Sequence, residues 1–288
     1  FHGIPKLGEV ELYYMPDLNS REMAFQKGEV DVIEGPREQA WFEKMKKISG
    51  VIIENVGSSE TVVAHLNMSV KPLDLLKVRQ AIAYAMNRRE FTALYGEKIS
   101  EPIYSVAPAG QMISGLTREE CSKANLLYEF DLAKAKQLLA EAGYPKGFSL
   151  DVFTSESDSY RKAYELIQAQ LRKIGINLNL AVVDHSTFHT RIRQNLNPIV
   201  FYLSFRPNPD TILTHFFHSD SIVVTGKKPI ANFSHLGAVD ADGNGMIDSI
   251  DNLIENARKE KDIRKQVELW KEAQRKILQY MTAYPFIS

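Results

Sequence analysis

An α/β fold, in which helices cover a sheet, is the architecture this sequence predicts, and three neighbouring stretches carry the prediction. Phe148, Leu150 and Val152 alternate with their neighbours as a half-buried strand does; Tyr160 to Ile174 repeats apolar residues at helical spacing; Ile176, Leu178 and Leu180 alternate again. Strand, helix and strand in that order are the unit from which such layers are built. The 288 residues are 44% hydrophobic and 25% charged, enough to form a substantial core beneath a polar surface in one large domain or two.

From the start of the chain, Val10, Leu12 and Tyr14 alternate, Asp17-Leu18-Asn19-Ser20 opens a short helix ending near Gly28, and Val30 to Ile33 follows as a second strand. Further extended segments are expected around Ile52 and at Val62-Val63-Ala64. Lys71-Pro72-Leu73-Asp74 then punctuates the chain, which places a boundary between residues 1–70 and 71–288. Leu75 to Met86 has helical spacing, and Arg88-Arg89-Glu90 is expected to continue that helix. Pro102, Pro108, Gly110 and Gly115 mark residues 99–115 as an irregular excursion. Asp131 caps a helix that Gly143 ends. Beyond the central unit, Ile199 to Leu203 reads as a strand, and Leu253 to Ala257 and Val267 to Leu278 read as helices.

Charge and cysteine content exclude several functions. Thirty-five basic against 36 acidic residues leave a formal charge of -1, which does not suit a nucleic-acid binder that works by neutralising phosphates. The single Cys121 excludes an internal disulfide framework and a multi-cysteine zinc site. No apolar run approaches the roughly 20 residues needed to span a bilayer. The opening Phe1 to Lys6 is neither an initiator methionine nor a signal peptide, so a mature, cleaved or truncated chain is expected.

Asn67-Met68-Ser69 is followed by Val78-Arg79-Gln80-Ala81-Ile82-Ala83-Tyr84-Ala85-Met86-Asn87-Arg88, and this pairing resembles the junction of peptide-type extracellular solute-binding proteins of ABC importers. Pro5-Lys6-Leu7, Gly28-Glu29-Val30-Asp31, Tyr128 to Gly147, Leu171 to Ile176 and Asn208 to Leu213 agree in the same order. The resemblance implies a periplasmic-binding-protein-like fold, of which this chain matches the later portion. Residues 1–70 would be the end of the first lobe and the crossover, and residues 71–288 the second lobe. It also implies a noncatalytic, extracytoplasmic protein that closes on a peptide and presents it to a membrane permease. Alternatives are an oligosaccharide or metal chelate bound by the same fold, a hydrolase, or a non-transport interaction protein.

The same resemblance directs attention to Tyr202-Leu203-Ser204-Phe205-Arg206-Pro207-Asn208-Pro209-Asp210. Relatives that bind free peptides often carry an acid shortly before the position matching Pro209, where it holds the ligand's amino terminus. Phe205 stands at that place here, and a phenyl ring cannot compensate an ammonium. Tyr202 and Phe205 can contact a sugar or side chain, Arg206 an anionic group, and Asp210 can replace the missing acid. Asn67 and Arg79 are expected to be structural: Asn67 satisfies backbone groups at a bend, and Arg79 bridges an acidic partner.

A separate signal lies in Asp240-Ala241-Asp242-Gly243-Asn244-Gly245-Met246-Ile247-Asp248-Ser249-Ile250-Asp251. Oxygen donors fall at the first, third, fifth, ninth and twelfth positions, the spacing of an EF-hand calcium loop, with Gly245 at the turn. Asp240, Asp242 and Asn244 would supply side-chain oxygens, Met246 its carbonyl, Asp248 direct or water-mediated coordination and Asp251 the closing carboxylate. Ile247 would anchor the loop on apolar surface. Residues 231–237 do not read as an entering helix, so a single structural calcium is expected rather than a paired sensor. No organic cofactor motif is apparent.

Five histidines invite scrutiny for hydrolysis or transition-metal binding. His185 and His189 flank Ser186-Thr187-Phe188, without the glutamate of the zinc-protease pattern, and His215 and His218 sit among aromatic residues that fit packing, as does His235. There is no nucleophile elbow, phosphate-binding loop or paired-carboxylate signature.

Overall fold

The computed structural model describes residues 6–15, 17–36, 39–54, 60–97 and 99–288. Pro5 of the opening motif lies outside them. The chain divides into two compact units, residues 1–54 and 55–288. That division precedes the 70/71 boundary expected from the proline turn, because residues 60–66 are built into a sheet of the larger unit.

In the smaller unit, α1 (Leu18–Gln26) begins where the Asp17 carboxylate accepts a 2.8 Å hydrogen bond from the Ser20 amide. Helix α2 (Gln39–Met45) follows, with Glu22 of α1 buried between Trp41, whose Nε1 donates to it at 2.6 Å, and Lys44, which forms an ion pair with it. The strands expected around Val10–Tyr14, Val30–Ile33 and Ile52 are not assigned among the described residues. Val10, Leu12, Tyr14, Val32 and Ile52 are exposed. Alternation makes a strand only where a neighbour completes the hydrogen-bond ladder, and among the described residues these segments have no such neighbour.

In the larger unit, β1 (Glu60–Leu66) is buried along nearly its whole length. Helix α3 (Leu76–Ala85) stops at Met86, which is extended, and Asn87 starts α4 (Arg88–Tyr95) by accepting from the Arg89 amide at 3.1 Å. The expected continuation of one helix through Arg88 is therefore two helices, because an asparagine side chain competes for backbone donors and favours a cap. The excursion after α4 contains α5 (Arg118–Lys123), closed by a capping box between Thr117 and Glu120. Helix α6 (Leu132–Glu141) is capped by Asp131, as read from sequence, and packs on α3.

The predicted strand, helix and strand become β2 (Phe148–Ser155), α7 (Asp158–Arg172) and β3 (Ile176–Val183). Strands β2 and β3 pair in parallel with Leu150 beside Leu178. Gly147 and Gly175 let the two strand entries meet: a Cβ on Gly147, whose φ is +76°, would lie 1.9 Å from the Gly175 carbonyl oxygen. Then come α8 (His185–Arg193), β4 (Ile199–Phe205), α9 (Pro209–Phe217), α10 (Asp251–Lys259), α11 (Ile263–Gln279) and β5 (Ala283–Ile287). Strand β1 lies between β4 and β5, antiparallel to both, with Val63 opposite Tyr202. One apolar core unites these elements except α5, whose Cys121 packs in a smaller cluster with Leu116 and Leu278; in the main core Phe91, Phe201 and Phe286 are in mutual ring contact.

Candidate functional site

The end of β4 and the start of α9 gather the residues expected to contact solute. Pro209 occupies the first turn of α9 and Asn208 caps it, accepting from the Thr211 amide at 2.9 Å. The half-buried Tyr202 packs against Phe216 of α9 and Phe233, at centroid distances of 5.6 and 5.5 Å. Its hydroxyl accepts a 3.2 Å hydrogen bond from Nη2 of Arg193 at the end of α8. Three residues along, at the end of β4, Phe205 is 59% exposed. Arg206 lies with its guanidinium 5.4 Å from the Phe216 ring centroid and donates from Nη2 to Nε2 of His215 at 3.2 Å.

Two guanidiniums stand at this corner, where Glu60 of β1 lies opposite Phe205 across the sheet. Among the described residues, neither Arg193 nor Arg206 is salt-bridged to a carboxylate; their polar partners are Tyr202, His189, His215 and the Phe205 carbonyl. Burial, followed by the charges of Arg206 and Arg193, lowers the His215 pKa to about 4, so its ring is neutral at pH 7 and able to accept. Burial with the neighbouring His185 and Arg193 lowers His189 to about 4 as well.

Asp210 does not stand free beside these groups. Its two oxygens accept from Nε and Nη2 of Arg258 on α10, at 2.8 and 3.1 Å, a forked ion pair that fastens α9 to α10. Sequence reading offered Asp210 as a substitute for the missing acid; the structure gives that charge a partner 48 residues away.

Asn67 and Arg79 lie inside the larger unit. The Asn67 amide donates to Asn195 Oδ1 at 2.6 Å and to the Asn197 carbonyl at 3.1 Å, while its Oδ1 accepts from the amide and hydroxyl of Ser69. Arg79 is fully buried, yet its hydrogen-bond partners are not carboxylates: Nε donates to the Tyr280 carbonyl, Nη1 to those of Leu73 and Asp74, and Nη2 to that of Ala241. The expected acidic bridge is replaced by a fork of backbone acceptors. Burial lowers the Arg79 pKa to about 10, and Asp74, Asp240 and Asp248 oppose that effect from nearby.

The acidic loop is folded around Asp240, whose carboxylate accepts from the amides of Gly243, Asn244 and Gly245 at 2.7, 3.1 and 2.7 Å. Those bonds hold its carboxyl below the usual range. Asp242 accepts from the Asn244 amide and Asn244 from the Met246 amide. Carboxylate oxygens of Asp240, Asp242 and Asp248 all lie within 4.8 Å of one another. Asp251 does not join them: it opens α10, and its carboxylate accepts from the amide and hydroxyl of Ser219. Ile247 is exposed, and the buried Ile250 anchors this end of the loop instead. Residues 231–237 form a bridge and turns with no helix, as expected.

Arg193 escapes the sequence reading, and His215 is assigned there to packing and not to this corner. Both sit in short helices whose faces turn toward Tyr202 and Arg206 only once α8 and α9 pack on the β4 side, and no spacing within either helix signals that convergence.

The family of bacterial extracellular solute-binding proteins, family 5 (middle portion), matches residues 1–222. The chain belongs to this family. Among family 5 relatives, the glutathione-binding protein GsiB of Escherichia coli (strain K12) is 32% identical over 187 residues, covering 63% of this chain and 34% of GsiB. The solved structure of MoaA from A.tumefacien R10, in complex with mannopinic acid, matches with a TM-score of 0.78 and 32% identity, over 95% of this chain and 52% of that one. DppA from Helicobacter pylori, in complex with the peptide STSA, matches with a TM-score of 0.74 over 95% of this chain and 50% of its own; at 23% identity it supports the fold alone. The α/β periplasmic-binding-protein fold expected from sequence is thus the fold found. The chain spans about a third of the length of these curated relatives and about half of the solved chains.

Proposed function

We propose that this chain supplies one wall of the solute cleft of an extracytoplasmic binding protein that serves an ABC importer, with a peptide as the favoured solute. The observation that carries the reading is the corner formed by Tyr202, Phe205 and Arg206, where two guanidiniums without carboxylate partners among the described residues flank a tyrosine and an exposed phenyl ring. Such a surface suits a solute that combines a carboxylate with an apolar or planar part. It does not suit a free ammonium, since Phe205 carries no charge and Asp210 would have to release Arg258.

The mechanism has no chemical step. Solute binding shifts an open population toward a closed one, and the closed form presents the permease with a distinct surface. Residues 71–288 act as the second lobe in this reading, and residues 1–70 as the end of the first lobe and the crossover. The test is mass spectrometry of solutes that co-purify with a protein carrying both lobes, followed by calorimetry with peptide, oligosaccharide and metal-chelate pools. Saturable binding of carboxylate-bearing peptides supports the reading. Binding of oligosaccharides alone, or turnover of a chromogenic substrate, would replace it.

A second reading concerns the loop at 240–251. The convergence of Asp240, Asp242 and Asp248 favours a structural calcium ion, with the Asn244 side chain and the Met246 carbonyl as further oxygen donors. Asp251 would complete the set only by leaving Ser219. Such an ion would steady the entry to α10 and take no part in solute binding.

A further inference from the structure

Two imidazoles on one face of α8 meet through their outer nitrogens. His185 and His189 are four residues apart, so the helix sets one above the other. Their Nε2 atoms are 3.1 Å apart, with the ring planes at 88°. Each Nε2 has the other as its only hydrogen-bond partner among the described residues.

Both rings are held from behind. Nδ1 of His185 lies 2.9 Å from the Ser155 hydroxyl at the end of β2, and that oxygen also accepts from the Ser157 amide. His189 is packed edge-on against Tyr160, Phe188 and Tyr202. Two imidazoles that face one another make half of a coordination sphere, and at His185 the bond from the other nitrogen to Ser155 is the supporting contact that metal-binding histidines use.

We propose that His185 and His189 form a two-imidazole site for a borderline divalent transition metal ion, with copper(II) preferred. At metal–nitrogen distances of about 2.0–2.1 Å, nitrogens at this separation subtend about 95–102° at the metal, between the right angle of a tetragonal site and the tetrahedral angle. The preference for copper(II) follows instead from its place at the top of the affinity order for nitrogen donors. Imidazole donors select against calcium and magnesium, which take oxygen, so the site is chemically separate from the acidic loop. Water, or a donor atom of a bound solute, would fill the remaining positions.

Arg193 opposes the metal in a defined way. Its Nη1 donates to Nδ1 of His189 at 3.2 Å, which leaves the ring proton on Nε2. To bind through Nε2, His189 moves that proton to Nδ1, and Arg193 gives up this bond while keeping those to the His189 carbonyl and the Tyr202 hydroxyl, at 2.9 and 3.2 Å. Removal of the guanidinium should therefore tighten metal binding.

The test is titration of the tag-free chain with copper(II) against glycine as competing chelator, by calorimetry and by electron paramagnetic resonance. One ion per chain with two imidazole nitrogens in its spectrum is expected. His185→Gln and His189→Gln should each weaken that site by at least about tenfold, Arg193→Gln should strengthen it, and Asp240→Ala with Asp242→Ala should leave it unchanged. His185 is exposed, so its variant keeps the fold and decides the matter even if the His189 variant does not. Copper binding that is equally tight without His185, or the absence of any site that competes with glycine, would show only a hydrogen-bonded histidine pair and overturn the proposal.

Discussion

Arg79 of α3 donates from Nη2 to the carbonyl of Ala241, so the acidic loop is tied to a guanidinium that lies wholly inside the core. The same side chain reaches Tyr280 just before β5 at 2.9 Å and the turn at Leu73 and Asp74 at 2.8 and 2.9 Å. Three backbone segments far apart in sequence, at residues 73–74, 241 and 280, are thereby joined by one planar fork. Asp248 adds a second tie, accepting from the Ala241 amide at 2.8 Å.

Replacing Arg79 with Met should therefore cost about 3–5 kcal/mol, because the carbonyls it serves are left buried without donors. Arg79→Lys should recover only part of the loss, since one ammonium cannot reproduce the spread of the fork. Urea denaturation followed by circular dichroism measures both; a lysine variant as stable as the parent would refute the geometric account.

At the solute corner, Arg206→Ala in a protein with both lobes should weaken carboxylate-bearing ligands by about 1.5–3 kcal/mol, the usual worth of a charge-assisted hydrogen bond. Phe205→Asp should instead raise the relative affinity for peptides with a free amino terminus. Calorimetry with amidated and acetylated forms of one peptide separates the two effects, and unchanged ratios in both variants would remove this corner from the cleft.

Calcium in large excess should stabilise the chain, by about 2.7 kcal/mol at one hundred times the dissociation constant. Asp240→Ala combined with Asp242→Ala should abolish that response. Asp251→Ala should behave differently: loss of its bonds to Ser219 lowers stability by about 1–2 kcal/mol with or without calcium, while the calcium response persists. Thermal melts with calcium and with chelator distinguish a closing ligand from a helix anchor.

His65 predicts acid sensitivity. It is enclosed by Phe216, Phe217 and Phe233, its Nδ1 has no partner, and burial lowers its pKa to about 3. The unfolded chain binds this proton near pH 6.5 and the folded one does not. The neutral ring's contribution is thus fully present above pH 6.5 and is lost as pH falls toward 3, by about 2 kcal/mol at pH 5. His65→Phe should flatten the fall in urea midpoint between pH 7 and pH 5; an unaltered slope would place the sensitivity elsewhere.

Gly147→Ala should destabilise the chain by about 2–3 kcal/mol, since its Cβ would strike the Gly175 carbonyl where β2 and β3 begin. Gly143→Ala, at a helix end with φ of +89° but open space around it, should cost less. Similar losses at the two sites would show that backbone strain, and not the strand approach, sets the cost.

The sequence by itself determined the α/β class, the family, the strand–helix–strand of β2, α7 and β3, and the capped α6. Those features depend on side-chain period and on bonds between residues a few positions apart, which the order of residues specifies directly. Only the tertiary structure decided that Asp210 belongs to Arg258, that Asp251 belongs to Ser219, that Arg79 serves carbonyls, and that Arg193 and His215 join Tyr202 and Arg206. Each of those partnerships spans elements brought together by packing, and a charge takes whichever partner the fold delivers. The same reason explains the first residues of the chain: the alternation at Val10, Leu12 and Tyr14 is written in the sequence, but a strand exists only where another backbone lies beside it.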